Sequence, residues 1–148
     1  MKPTVYLSGP IRKVDDDGRT WRDEMIEDFG DKFNFKNPLD RYDPSEVEIV
    51  NNPNNIGNVT DDMVLPSEYV FEDKMDIMKS DAMFVGLGDE VARGTSMECM
   101  FAYTIGKPYF LWPREGQEES GWMYDHATAW SVHRDFIVEE MEEYLKRF

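Results

Sequence analysis

The stretch Ala82-Met83-Phe84-Val85-Gly86-Leu87, followed a few residues on by Arg93-Gly94-Thr95-Ser96-Met97-Glu98, decides the fold. A short apolar run bounded by glycine reads as a buried strand, and the apolar positions after Thr95 read as a helix through Ile105. Strand then helix is the repeating unit of an α/β sheet. A carboxylate at the start of such a helix stands at the rim of the sheet, where α/β proteins bind ligands. Glu98 is therefore the first residue to weigh as a reactive group.

The same alternation extends in both directions. Thr4 to Ser8 is β-rich and is stopped by Gly9-Pro10, and Thr20 to Phe29 then carries Trp21, Met25, Ile26 and Phe29 at helical spacing. Phe33 to Lys36 reads as a second strand ended by Asn37-Pro38, and a long polar segment containing Asn51-Asn52-Pro53-Asn54-Asn55 reads as a loop. A helix is expected from Pro66 to about Lys79, a strand from Pro108 to Trp112, a short helix near Trp122 to Ala129 and a last helix from Arg134 to Phe148. This order predicts a single α/β domain over residues 1–148, doubly wound, with a mostly parallel sheet of about five strands. Right-handed crossovers would bring the exits after Ser8, Gly86 and Trp112 to one edge, where they can share a pocket.

Composition narrows the partners. With 148 residues, 41% apolar and 14% aromatic, the chain suits one sizeable core. Thirty-one acidic residues against sixteen basic ones give a net charge of −15, which repels nucleic-acid backbones and anionic membranes. Polymeric nucleic acid and membranes are thus poor partners, while a nucleoside or nucleotide remains open through local contacts. Cys99 is the sole cysteine, which excludes an internal disulfide and reads as a buried, inert thiol. With no long apolar run or leader pattern, we expect a cytoplasmic protein.

Individually, the motifs at the expected edge are ambiguous. In Tyr6-Leu7-Ser8-Gly9-Pro10-Ile11-Arg12 the glycine would let a ligand approach the backbone, proline fixes the turn, and exposed amides or Arg12 would hold hydroxyls or a phosphate; the plain alternative is an ordinary strand exit. Thr95-Ser96-Met97-Glu98 equally matches a capping box, in which the glutamate folds back onto its own helix. Asp73 and Asp76 share a helix face and read either as solvated surface or as a partner carboxylate for Glu98. His126 and His133 lack metal-ligand spacing, Asp15-Asp16-Asp17-Gly18 lacks the glutamate that closes a calcium loop, and Gly86-Leu87-Gly88 lacks the third glycine of a dinucleotide fingerprint. The methionines at 75, 78, 97 and 100 read as core.

Taken together, Tyr6-Leu7-Ser8-Gly9-Pro10, Asp73 eight residues before Asp81, Gly94-Thr95-Ser96-Met97-Glu98 and Gly106-Lys107-Pro108 resemble the nucleoside 2-deoxyribosyltransferase family, over roughly Val5 to Leu111. The resemblance implies a flavodoxin-like fold and exchange of bases on 2′-deoxyribonucleosides without cofactor or metal. It implies Glu98 as the nucleophile at C1′, Tyr6 as the residue that positions its carboxylate, and Asp73 for proton transfer and substrate holding. Ser8, Gly9, Pro10, Ile11, Arg12, Asp76, Arg93, Gly94 and Thr95 are then expected around the substrate. Partners are expected to be nucleosides or nucleotides, free nucleobases and further copies of the chain, in a homo-oligomer with shared active sites.

Two departures from the family pattern bear on substrate. Where transferases carry an acidic residue just before the Gly-x-x-x-Glu stretch, this chain has Ala92-Arg93, which favours a charged substrate. The segment expected to reach a neighbouring subunit is Gly121-Trp122-Met123-Tyr124, with Met123 as the contact and Gly121 in place of the usual asparagine. A runner-up reading is a hydrolase of deoxynucleoside 5′-monophosphates on the same scaffold. From a different class, a nucleotide-binding module without turnover would keep the Gly9-Pro10 loop but would not need Glu98.

Overall fold

The computed structural model describes residues 1–11, 16, 18–42, 46–50, 59–88, 93–115 and 120–147. Val5, Tyr6 and Leu7 suit a pleated, buried surface, and Pro10 shortly after them cannot donate to a ladder, so β1 spans Thr4–Ser8. It lies between β2 (Asn34–Lys36) and β5 (Ala82–Gly86), and β5 leads on to β6 (Tyr109–Trp112) and β7 (Ala129–Trp130). All four pairings are parallel, with Tyr6 opposite Met83 and Phe84 opposite Phe110. Counting the strands of this sheet alone, the spatial order is 2-1-3-4-5, the doubly wound order of flavodoxin-like proteins.

The period-two alternation of the strands sorts the core into two layers. Val5, Leu7, Phe84 and Phe110 face α1 (Arg19–Phe29) and α5 (Arg134–Arg147), meeting Met25, Ile137, Val138 and Met141. Tyr6, Met83, Val85, Tyr109 and Leu111 face the other way, against Ile77 of α2 (Pro66–Lys79), Cys99 and Ala102 of α3 (Arg93–Thr104) and Met123 of α4 (Gly121–His126). Helices cover both faces, as a parallel sheet requires. Among the described residues no helix is long and apolar enough to cross a membrane.

Three differences from expectation have physical causes. The short helix expected to run to Ala129 ends at His126, because Thr128 N–H bonds to Tyr109 O and Ser131 N–H to Leu111 O, which draws this segment onto the sheet edge as β7. Two short strands lie where a loop was expected: β3 (Glu48–Ile49) pairs in parallel with β4 (Met63–Val64), and residues 51–58 between them lie outside the described residues. On α1 the buried face is Arg22 and Met25, and Ile26 is 37% exposed instead of buried. The arginine displaces the isoleucine because its guanidinium finds carbonyl partners inside, as described below.

Candidate active site

β1 and β5 are neighbours, yet the chain leaves them toward opposite faces of the sheet, so a crevice forms at their C-terminal ends. Glu98, on the second turn of α3, points into this crevice. Tyr6 Oη donates to Glu98 Oε2 at 2.7 Å and Ser8 Oγ donates to Oε1 at 3.1 Å. Each carboxylate oxygen thus has one donor and keeps a further lone pair. The capping-box reading fails here: α3 begins at Arg93, so Thr95 lies inside the helix and is buried, and the Glu98 carboxylate turns to β1 instead of its own helix.

Asp73, on α2, approaches the same tyrosine, with Tyr6 Oη 3.3 Å from Asp73 Oδ1. A phenol has one proton, so the shorter contact, to Glu98, holds it, and Asp73 takes its principal hydrogen bond from Arg41 Nη2. Burial, and next the charge of Asp73, push the Glu98 carboxyl up to about 7, although the Tyr6 and Ser8 hydrogen bonds pull the other way. Burial and the two carboxylates hold the Tyr6 phenol well above its ordinary value, so it is a permanent donor. Burial also raises Asp73, against the opposing pull of Arg41.

The other expected site residues fall into three groups. Pro10 and Ile11 line the exit of β1 and are half-buried, Arg93 and Gly94 form the exposed first turn of α3, and Arg12 lies outside the described residues. Gly9 does not open the backbone to a ligand: a Cβ there would collide with Gly86 O and come within 2.8 Å of the Trp21 ring. Its smallness serves strand-to-helix packing. Asp76 sits one turn beyond Asp73, with Oδ2 3.7 Å from Arg41 Nε and Oδ1 3.7 Å from Lys36 Nζ, and has no contact with Glu98. Met123 is 1% exposed, packed in the domain's own core with its sulfur accepting from Ser96 Oγ at 3.4 Å. The side chain of that segment that faces outward is Trp122, 69% exposed.

Two arginines that support the site were not expected. Arg22 is fully buried; it donates to Gly9 O and Gly18 O at 2.9 Å each and to Leu7 O at 3.4 Å, and its guanidinium lies 4.7 Å from the Trp21 ring centroid. Burial lowers its pKa to about 10, which leaves it charged at neutral pH beneath the β1 exit. Arg41 follows the short 3-10 helix Pro38–Asp40 at the end of β2 and touches Glu72, Asp73 and Asp76. The available signal was positional: Arg41 closely follows the Asn37-Pro38 stop of a parallel strand, at the same sheet edge as Ser8. Arg41 also lines an open cleft of about 670 Å³ with Phe35, Lys36, Tyr42, Phe71 and Asp76, of which Glu98, Tyr6 and Ser8 form no part.

The fold and the paired carboxylates at its switch point thus define a flavodoxin-like α/β domain with an acidic crevice. No family model matches the chain, and no curated protein matches it by sequence. Among solved structures, it is similar to a 2-deoxyribosyltransferase from the psychrotolerant bacterium Bacillus psychrosaccharolyticus, with TM-score 0.66 and 18% identity over 90% of this chain and 89% of that one. It is also similar to a CMP N-glycosidase of Clostridium botulinum (TM-score 0.56, 13% identity, 92% and 96% covered). A conserved protein from Enterococcus faecalis gives TM-score 0.57 and 13% identity, with 99% of each chain covered. At these identities the likeness establishes the shared fold.

Proposed function

We propose that this protein is a nucleoside 2-deoxyribosyltransferase in which Glu98 is the nucleophile. The observation that carries the proposal is the Glu98 carboxylate held at both oxygens by Tyr6 and Ser8, at the switch point of the sheet, with Asp73 on the same tyrosine. A surface or capping glutamate has no reason to be gripped this way by a neighbouring strand. The likeness to a deoxyribosyltransferase and an N-glycosidase adds support from outside the chain.

In the first half-reaction a Glu98 oxygen bonds to C1′ as the C1′–N bond breaks, and the departing base takes the bonding electrons and a proton from water. The transition state resembles an oxocarbenium ion, and the nearby carboxylates offset its positive charge. In the second half a nitrogen of the incoming base bonds to C1′, its N–H proton leaves to an acceptor, and the C1′–O bond breaks to return the Glu98 carboxylate. Asp73 is the group placed to accept that proton in the second half and release it to water. We read the half-buried Pro10-Ile11 exit and the exposed Arg93-Gly94 turn as the walls on the sugar side. We read the protein as a homo-oligomer sharing its sites, with exposed Met97, Tyr103 and Trp122 on α3 and α4 as the apolar surface that favours it.

The decisive experiment incubates the protein with deoxyinosine or thymidine, with and without adenine. New deoxyadenosine that depends on adenine is expected; free deoxyribose formed equally without acceptor would replace transfer by hydrolysis. Glu98→Ala should lower turnover by about 10³-fold or more while leaving the far-UV circular dichroism unchanged. Undiminished turnover in that variant rejects the nucleophile assignment. Repeating the assay on 5′-monophosphates tests Arg12 and Arg93 as phosphate contacts.

A further inference from the structure

We propose that Arg41 is a positioning residue that holds Asp73 in its ionised form, so that Asp73 serves the second half-reaction as proton acceptor. The proposal rests on the transfer reading given above. Its basis is the geometry around one guanidinium. Arg41 hydrogen-bonds Asp73 Oδ1 through Nη2, lies 3.5 Å from Glu72 Oε2 and from Tyr69 O through Nη1, and lies 3.7 Å from Asp76 Oδ2 through Nε. Nε is buried without an acceptor at hydrogen-bond distance, so the orientation of the fork is set by Asp73 and not by Asp76. Three carboxylates of α2 therefore converge on a cation whose side chain is 18% exposed.

Asp73 Oδ1 accepts from the guanidinium of Arg41 and lies 3.3 Å from the Tyr6 hydroxyl, whose proton is held by Glu98. A guanidinium is a permanent cation, so its hydrogen bond and its charge favour the carboxylate over the neutral acid at Asp73. The groups around Asp73 otherwise oppose its charge: Glu98 from α3, and Glu72 and Asp76 from its own helix, with Lys36 of β2 engaged by Asp76. Among the described residues the cation in contact with Asp73 is Arg41. The mutual effect is visible on the arginine as well, since burial alone would lower its pKa, yet Asp73 beside it lifts the value above the ordinary one.

The consequence falls on one step. When the incoming base attacks C1′, its nitrogen forms the new bond, its N–H bond breaks, the proton passes to the Asp73 carboxylate, and the C1′–O bond to Glu98 opens. An Asp73 already protonated could not take that proton. Without Arg41, the neighbouring acids would favour the protonated form and slow this half-reaction selectively.

The test uses carboxyl 13C NMR to follow the Asp73 titration in the full-length protein and in Arg41→Gln and Arg41→Lys. In parallel, the pH profile is measured for resolution of the deoxyribosyl-enzyme by adenine. Arg41→Gln is expected to move the Asp73 midpoint up by about one pH unit or more, and to move the acid limb of the second half-reaction with it. Arg41→Lys, which keeps the charge, should recover most of both. An Asp73 midpoint unmoved in Arg41→Gln, or a rate that falls with no change in pH profile, overturns the proposal. If Arg41→Gln does not fold, the wild-type spectrum still decides: an Asp73 carboxyl signal in its protonated form at pH 7 overturns it as well. Failure of the transfer reading shows separately, as absence of base release or as deoxyribose release independent of adenine by the wild-type protein, and leaves the titration result standing.

Discussion

As the proposed nucleophile Glu98 must be ionised to attack, yet its surroundings favour the neutral acid. With its carboxyl pushed up to about 7 by burial and by Asp73, kcat/KM should rise with pH through that region, falling about tenfold per pH unit on the acid side. Stability should move the opposite way. The folded value lies above the ordinary value of 4.5, so the contribution of the neutral acid is fully present below pH 4.5 and is lost as pH rises through about 7. Glu98→Gln, which mimics the neutral form, should therefore gain stability over wild type between pH 5 and pH 8.5, on the order of 2–3 kcal/mol in urea unfolding. A constant difference across that range would contradict the burial argument. That Glu98, Tyr6 and Asp73 would meet was legible in the sequence because they stand at the spacing of the family it resembles; Ser8 was legible as a candidate but not as a donor to Glu98. Arg41 was not legible, because its three partners lie 31 to 35 positions away on α2 and no local pattern announces a contact of that span.

At the level of elements, the exit of β1 is fixed by close approach on two sides. Gly9 admits the backbone of β5 and the ring of Trp21, while Arg22 gathers the carbonyls of Leu7, Gly9 and Gly18 from below. Gly9→Ala is expected to cost about 2–3 kcal/mol, because the atom it would strike, Gly86 O, is backbone in a central strand and cannot step aside. Chemical denaturation reads this directly, and activity should drop in the same variant as Ser8 loses its register against Glu98. An unchanged denaturation midpoint would mean that the two strands separate more easily than their packing indicates. β1 and α2 were readable to the residue, being bounded by Gly9-Pro10 and begun by Pro66. β7 was not: a two-residue strand carries no period of its own and exists only through its bonds to β6. The buried face of α1 was misread for a related reason, since a periodicity argument assigns an arginine to water and has no means of anticipating three carbonyls waiting inside.

For the whole molecule, the net charge of −15 is the dominant electrostatic fact. Its exposed ion pairs, such as Arg134 with Asp28 and Lys146 with Glu142, are each worth about 0.2–1 kcal/mol and are weakened by salt. Self-repulsion among the excess acids is weakened too, and with nearly two acidic residues for each basic one it outweighs those pairs. The melting temperature should accordingly rise by several degrees between about 0.05 M and 1 M sodium chloride; a fall would show that the ion pairs prevail. The sheet itself carries one more consequence. Trp21 lies against Gly9 and Gly86, 6.3 Å from the ring of Phe84 and 6.4 Å from that of Trp112, beneath the guanidinium of Arg22. An indole so placed, against the C-terminal ends of the two central strands, is an intrinsic fluorophore, and comparison with a Trp21→Phe variant would isolate its emission from that of the other three tryptophans as a report on how tightly β1 and β5 are held together.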